Sequence, residues 1–336
     1  MKNKNILVTG CAGFIGFHLC SKLIEHKSYN IYGIDNLNSY YDVKLKKARI
    51  SKLHKKSKRF IFNKVDISEK KNLLRYSKDK KFDYIINLAA QAGVRFSIEN
   101  PQEYVSSNIV GFFNILELSR IKKIAHLIFA ATSSVYGDSK KFPLKEIQNT
   151  DKPISFYAAS KKTNEILAHS YSSIHKLPIT GLRFFTVYGP YGRPDMALAK
   201  FTKAIREAKP ITLFNEGKHE RDFTHVDDVV DSIVKLVKKP SKEKIPYDIF
   251  NIASSNPKKL TSFIKLIEKN LSKKASKKIL LPLQKGDVFK THANTDKLKK
   301  KINYKTKKTL EDGIQEYVNW YNYFYKYFFK FLDSKK

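Results

Sequence analysis

Tyr157 and Lys161 lie four residues apart at the head of a stretch, Ala158–Ser172, whose apolar spacing predicts a helix. They therefore share a face. An ammonium beside a phenol stabilises the phenolate and lowers the tyrosine pKa, which makes it a usable base near neutral pH. The spacing alone selects nothing, because Tyr40/Lys44, Tyr76/Lys80, Tyr136/Lys140 and Tyr304/Lys308 repeat it. Position selects Tyr157. It follows by one loop an apolar run, Leu127–Ala130, that continues into Thr132-Ser133-Ser134. A hydroxyl at Thr132 can share a substrate proton with Tyr157. The expected catalytic set is Thr132, Tyr157 and Lys161, with no metal.

A second chemistry is written near the N-terminus. Val8-Thr9-Gly10-Cys11-Ala12-Gly13-Phe14-Ile15-Gly16 joins an apolar run to an amphipathic one, with glycines three apart. Glycine there permits a tight turn, lets backbone amides approach a pyrophosphate, and lets the helix pack on the strand. The helix N-terminus adds partial positive charge. Gly10, Gly13, Phe14, Ile15 and Gly16 are the expected phosphate-side contacts. Asp35 ends the next apolar run nineteen positions after Gly16. Its carboxylate can accept both ribose hydroxyls and would repel a 2′-phosphate, so NAD is expected rather than NADP. Asn36 stands beside it. Asp66 and Ile67 end the third run and Leu88-Ala89-Ala90-Gln91 the fourth. The former suits an adenine edge, and the small residues of the latter let a cofactor lie against the backbone.

Elements must hold these residues together. Runs at Ile6–Thr9, Ile31–Asp35, Phe60–Val65, Tyr84–Leu88, Leu127–Ala130 and Ile179–Phe184 read as buried strands. Helical stretches such as Ile15–His26, Glu103–Ile121 and Ala158–Ser172 separate most of them. Alternation of this kind predicts an α/β fold, a Rossmann-type doubly wound parallel sheet with right-handed crossovers. Ligands then lie outside the carboxyl ends of the strands, where every motif above falls. After Tyr188 the texture changes to the turn-rich Gly189-Pro190-Tyr191-Gly192-Arg193-Pro194, a helical stretch from Met196 and a strand at Ile211–Phe214. The expected division is a cofactor-binding domain over 1–184, rejoined by about 225–253 through a strand near Ile249–Ile252. A smaller C-terminal substrate-binding lobe takes 185–224 and 254–336. The aromatic segment Glu311–Phe331 is expected to pack as a helix on that lobe or on a partner.

At 336 residues there is length for a large core, and 42% hydrophobic residues is a globular composition. Cys11 and Cys20 are the only cysteines, both in the first apolar segment, which speaks for a reducing compartment over a stapled secreted scaffold. No run approaches the roughly 18 apolar residues of a membrane span. The expectation is a cytoplasmic protein with no membrane partner. A net charge of +34 invites a nucleic-acid reading, but the lysines are dispersed in short runs such as Lys46-Lys47 and Lys299–Lys301. Their abundance beside Asn and Ile matches an AT-rich genome. The charge reads as a solvated surface that draws in anionic substrates, without a specific nucleic-acid partner.

The glycine loop, Thr132-Ser133-Ser134-Val135-Tyr136-Gly137 and Tyr157-Ala158-Ala159-Ser160-Lys161 resemble the extended short-chain dehydrogenase/reductase family of sugar-nucleotide epimerases and dehydratases. The resemblance narrows to the UDP-glucuronate 4-epimerases at four further segments. These are Asp35–Asp42, Gln91-Ala92-Gly93-Val94-Arg95, Arg183–Pro190 and Gly192-Arg193-Pro194-Asp195-Met196-Ala197. It implies that Tyr157, assisted by Thr132, takes the proton of the sugar 4-hydroxyl while tightly held NAD oxidises C4. The transient 4-keto sugar turns over and is reduced on its other face. It also implies that Lys161 holds the nicotinamide ribose, Arg221 the diphosphate and Asp287 the uridine ribose, with Phe214 stacked on uracil. Thr186 and Arg193 match positions near the sugar carboxylate, and Arg95, Ser133 and Ser134 complete the substrate set. The implied assembly is a homodimer built from helices around Glu103–Ile121 and Ala158–Ser172.

Within the resemblance, Thr186 and Gln284 stand where relatives acting on neutral sugars carry Asn and Arg, which favours a uronate. If Arg193 is desolvated, losing the substrate carboxylate should cost about 3–5 kcal/mol; if it stays wet, about 0–1 kcal/mol. There are departures: Tyr191 replaces a common Trp, His225 a common Tyr, and His292-Ala293-Asn294 an aromatic–Ala–Asp. Three other readings stay open. A 4,6-dehydratase needs an acid–base pair after the threonine, which Ser133 and Ser134 do not supply. A UDP-glucose or UDP-N-acetylglucosamine 4-epimerase differs in pocket shape alone. A non-catalytic NAD-binding regulator would leave the Thr132/Tyr157/Lys161 set without a task.

Overall fold

The computed structural model describes residues 3–324. The chain alternates from the start: β1 (Lys4–Thr9), α1 (Phe14–Glu25), β2 (Tyr29–Asp35), α2 (Val43–Lys56), β3 (Phe60–Lys64), α3 (Lys70–Ser77) and β4 (Tyr84–Asn87). The short helices α4 (Phe96–Glu99) and α5 (Pro101–Tyr104), a π-helical stretch Val105–Val110 and α6 (Gly111–Ile121) follow. They lead to β5 (His126–Thr132), α7 (Phe156–His175) and β6 (Ile179–Phe184). Beyond β6 come β7 (Thr186–Tyr188), α8 (Ala197–Arg206), β8 (Ile211–Phe214), β9 (Glu220–Arg221), β10 (Phe223–His225), α9 (Val226–Leu236) and β11 (Tyr247–Ile252). The chain closes with β12 (Lys258–Lys259), α10 (Leu260–Leu271), β13 (Lys278–Leu281), α11 (Asp296–Ile302) and α12 (Leu310–Phe324).

Seven strands form one parallel sheet in the order β11-β6-β5-β4-β1-β2-β3. The expected Rossmann-type sheet is therefore present. Its direction of winding reverses between β1 and β4, and the crevice that this opens lies at their carboxyl ends. Central strands such as β1 are apolar on both faces because helices cover both. One core joins β1 and β6 to α1 and α9 through Leu19, Leu23, Val229 and Ile233. The opposite core joins β4 and β5 to α6 and α7 through Ile85, Phe129, Phe112, Ile115 and Ala168. A third cluster, around Phe201, Phe223, Phe263, Ile314 and Tyr317, gathers the elements after β6. There α12 buries a stripe of Leu310, Ile314, Tyr317, Val318 and Tyr321. The aromatic segment packs on this lobe as far as Phe324, and residues 325–331 of it lie outside the described residues. No helix among the described residues is long and apolar enough to cross a membrane.

The stretch expected as one helix over Glu103–Ile121 is divided by the π-helical turn. The added residue in a π turn re-aims its neighbours. Here it delivers Asn108, whose Oδ1 accepts from the Gln91 amide at 2.8 Å and whose Nδ2 donates to the Ser160 hydroxyl at 2.9 Å. Periodicity does not register a one-residue insertion. The effect is to lock the end of β4 to α7.

α7 is also tied to β6. Arg183 Nε and Nη2 each donate to a Glu165 carboxylate oxygen at 2.8 Å, with both residues buried. Glu165 is one turn past Lys161, so this pair sets the rotation of the helix that carries the catalytic candidates. Removing one charge of a buried pair leaves the other uncompensated. Glu165→Gln is expected to destabilise the fold by about 3–5 kcal/mol in guanidinium denaturation, and a loss under about 1 kcal/mol would refute this anchoring role.

Candidate active site

The site starts where β1 ends. Gly10 adopts φ +70°, and a Cβ there would stand 2.7 Å from the Ala89 nitrogen. A Cβ on Gly16 would stand 2.1 Å from the Gly10 carbonyl oxygen. Only glycine lets the first turn of α1 lie this close to the loop. The N-cap of α1 is Gly13, with no side-chain cap and no acidic residue in the first turn. Its amides are thus left for an anionic ligand. Thr9 Oγ1 donates to Asn87 Oδ1 at 2.6 Å and accepts from the Ala89 amide at 3.1 Å, which welds β1 to β4 at the switch point.

Asp35 ends β2 nearly buried, with its oxygens accepting from the amides of Ala12 at 3.1 Å and Leu37 at 2.8 Å. Burial raises its pKa, against those amides and the charges of Lys46 and Arg49. Asn36 donates to Asp66 at 2.8 Å, and Asp66 also accepts from the Ser68 amide and hydroxyl. Burial pushes Asp66 up, but these donors outweigh it and hold its carboxyl below the usual range. Gly10, Gly13, Phe14, Ile15, Gly16, Asp35, Asn36, Asp66, Ile67 and Leu88–Gln91 all line one cleft of about 1170 Å³. That exceeds the ~300–1,000 Å³ of an ordinary small-molecule pocket. The glycine cradle, the uncapped helix and the carboxylate at the β2 end fit a dinucleotide without a 2′-phosphate.

Thr132, Tyr157 and Lys161 line the same cleft. Ser155 caps α7 by accepting from the Ala158 amide at 3.1 Å, so Tyr157 stands in the first turn and Lys161 one turn on. Burial raises the Tyr157 pKa, and it stays above the usual phenol value although Thr132 and the charge of Arg193 pull it down. The expectation of a lowered phenol pKa is thereby corrected. Burial likewise drives the Lys161 pKa down to about 8, against the pull of Glu165, which leaves it mostly an ammonium near neutral pH.

Of the substrate-side candidates, Arg95, Ser134, Thr186, Arg193, Phe214, Arg221 and Asp287 also line the cleft, and Ser133 does not. Ser133 opens the short 3₁₀ turn after β5, whose geometry turns Ser134 toward the cleft in its place. Arg95 lies with its guanidinium 4.4 Å from the centre of the Phe214 ring and donates to Gln284. Arg221 donates to Asp287 at 2.8 Å, and His219 Nε2 lies 3.4 Å from the other Asp287 oxygen. Arg193 pairs with Asp195 through Nε at 3.0 Å and Nη2 at 2.5 Å, and Tyr40 donates to the same carboxylate at 3.1 Å. Arg193 is therefore not an unpaired cation, which removes the premise for the larger cost attached to it above. Tyr191, the substitute for Trp, lies away from the chemistry between Phe17 and Trp320, 4.9 Å from each ring.

Sequence reasoning passed over His219, Asp195, Lys46, Lys200 and Lys285, all at the cleft wall. Asp195 was within reach, two positions from Arg193 inside a quoted motif. His219 alternates with Arg221, the two-residue period of an extended segment. The lysines carried no signal in so lysine-rich a chain.

Residues 6–253 match the model of the NAD dependent epimerase/dehydratase family. The chain is 48% identical over 329 residues to protein CapI of Staphylococcus aureus, covering 94% of this chain and 97% of that one. It is 41% identical over 329 residues to a probable UDP-glucuronate 4-epimerase of Rhizobium meliloti, covering 94% and 96%. Among solved structures it is similar to the UDP-glucuronic acid 4-epimerase of Bacillus cereus in complex with UDP-glucuronic acid and NAD. That likeness has a TM-score of 0.87 and 33% identity over 96% of this chain and 100% of the other.

Proposed function

The chain belongs to the NAD dependent epimerase/dehydratase family, and we propose that it interconverts UDP-glucuronate and UDP-galacturonate as an NAD-dependent 4-epimerase. One observation carries the reading. Thr132, Tyr157 and Lys161 line one cleft together with the dinucleotide cradle and with Phe214, Arg221 and Asp287. The relatives named as UDP-glucuronate 4-epimerases, matched over nearly their whole length, support the same substrate.

Bound NAD supplies a two-electron acceptor that is restored within each cycle, so no external oxidant is consumed. Tyr157 takes the proton from the sugar 4-hydroxyl and returns it when the other face of C4 is presented. Thr132 supplies a second oxygen near the phenol, through which that proton is shared. Arg193 favours the phenolate, offsetting in part the burial that opposes it. Lys161 holds the nicotinamide ribose. The glycine loop binds the pyrophosphate of NAD, and Asp35 and Asn36 its adenosine ribose. Asp66, Ile67 and Leu88–Gln91 lie along the remainder of the dinucleotide. Phe214, Arg221 and Asp287 take uracil, diphosphate and uridine ribose. Ser134, Thr186 and Arg95 enclose the sugar.

Thr186 and Gln284 favour the uronate. The Arg193–Asp195 pair favours the second reading, a neutral UDP-sugar, because this arginine already has a carboxylate. A partly exposed, internally paired guanidinium discriminates by about 0–1 kcal/mol. The assembly we assign is a homodimer through α6 and α7. Val110, Phe113 and Ile121 and, on α7, Ile166 and Ile174 are 39–69% exposed and unexplained in a lone chain. The two cysteines are free and buried, which suits the cytoplasm.

NMR of the full chain with UDP-glucuronate and no added oxidant should show UDP-galacturonate accumulating. Tyr157→Phe should lower turnover by about 10²–10⁴-fold with NAD binding intact, whereas Tyr76→Phe, which deletes a buried hydroxyl without a hydrogen-bond partner, should be nearly silent. Equal loss in both would sink the assignment of the base. Asp195→Asn should free Arg193 and raise the kcat/KM preference for UDP-glucuronate over UDP-glucose several-fold, on the order of 1 kcal/mol; an unchanged or smaller preference removes Arg193 from carboxylate recognition. Sedimentation equilibrium is expected to give a dimer, and a monomer at micromolar concentration would refute the assembly.

A further inference from the structure

Arg49 lies in the second turn of α2, carries the largest fully buried side chain among the described residues, and has no part in the chemistry above. None of its hydrogen-bond partners among the described residues is a carboxylate. Nη1 donates to the Ala12 carbonyl and to the Tyr41 hydroxyl, each at 2.7 Å. Nη2 donates to the Tyr191 carbonyl at 2.6 Å and to that of Gly192 at 3.5 Å. Nε is buried without a partner. A buried guanidinium hydrogen-bonded only to neutral oxygens is a costly arrangement, eased in part by the charge of nearby Asp35. It sits where three segments meet: the glycine loop, the turn after β2, and the loop that presents Arg193.

Those contacts close a chain of constraints. The Ala12 peptide is gripped on both sides, its amide by Asp35 and its carbonyl by Arg49. On the other loop, three consecutive carbonyls are held from the cofactor side, Pro190 by His18 at 2.8 Å and the next two by Arg49. Burial drives His18 down to about 4, so near neutral pH its ring is uncharged and its Nε2 donates to Pro190. Arg193 follows at once and is held by Asp195, which Tyr40, the neighbour of Tyr41, also grips. The backbone that cradles pyrophosphate and the backbone that faces the sugar thus share one cation.

We propose that Arg49 is a positioning residue that couples the dinucleotide site to the sugar-facing loop, so that NAD and the UDP-sugar strengthen each other's binding. The proposal rests on the reading of the cleft as an NAD and UDP-sugar site. A pyrophosphate on the glycine loop fixes the Ala12 carbonyl, hence the guanidinium, hence the carbonyls of Tyr191 and Gly192. Its charge also favours a guanidinium that makes no hydrogen bond to a carboxylate. Coupling between two binding sites is reciprocal, so a sugar nucleotide that reaches this loop must retain NAD. A lysine cannot substitute, because a point charge on a single nitrogen does not bridge two segments as the planar fork does.

The test is exchange of protein-bound NAD for isotope-labelled NAD in the full chain, read by mass spectrometry with and without saturating UDP-glucuronate, whose sugar reaches the Arg193 loop. In the wild type the sugar nucleotide should slow exchange by about fivefold or more. In Arg49→Lys the two rates should agree within about twofold, the scale of no coupling. A merely structural arginine would speed exchange equally with and without it, and Lys55→Met, exposed on the same helix, should keep the wild-type effect. An exchange rate indifferent to UDP-glucuronate in the wild type overturns the proposal, as does a full effect in Arg49→Lys. Should Arg49→Lys not fold, Tyr41→Phe decides: a weakened effect supports the coupling and an undiminished one overturns it. Turnover is read separately, so UDP-glucuronate that is bound but not epimerised would defeat the functional reading without altering this result.

Discussion

The first turn of α1 approaches the end of β1 until a methyl group on Gly16 would lie 2.1 Å from the Gly10 carbonyl oxygen. The rest of the site depends on that contact. It presses an uncapped helix terminus against the crevice where the sheet reverses, so unpaired amides meet a place where a long ligand can lie. It also brings Ala12 under Asp35 and within reach of Arg49. A cofactor bound there presents its far end to the carboxyl ends of β5 and β6, which is where Thr132 and α7 stand.

Tyrosine chemistry in this cleft is an electrostatic balance. Burial opposes the phenolate at Tyr157 and opposes the ammonium at Lys161, whose pKa falls to about 8. The charge that favours the phenolate comes from Arg193, a residue of the loop that follows the sheet. Arg193 keeps its own charge through Asp195, despite a burial that opposes it. The phenol is thus tuned by the loop after β7, through the Tyr40–Asp195–Arg193 cluster.

The elements that hold Tyr157 in place are polar and buried, which is unusual for a scaffold and informative for that reason. Glu165 and Arg183 pin α7 to β6, and Asn108 pins it to β4 through a π turn. Each bond is directional, so each sets a rotation that apolar packing would leave loose. The lobe after β6 is assembled differently, from aromatic stacking such as Phe223 on Phe263 at 4.3 Å. Such packing tolerates the adjustment that a turning sugar ring requires.

Much of this was legible along the chain. Six apolar runs separated by amphipathic ones dictate a parallel, doubly wound sheet, because each run is buried on both faces and each crossover needs a helix. Glycine spacing, the Asp35 strand end and the Tyr157–Lys161 period are local patterns, so sequence alone located them. What it could not determine was which charges meet. Nothing in the order of residues says that Arg221 would pair with Asp287, that Arg95 would lie over Phe214, or that Ser134 rather than Ser133 would face the cleft. The buried Arg49, from a helix outside the recognised chemistry, joins carbonyls 37, 142 and 143 positions away. Local propensity acts over one or two turns, whereas a guanidinium is shared by whichever oxygens the closed fold leaves around it. Tertiary structure alone decided that.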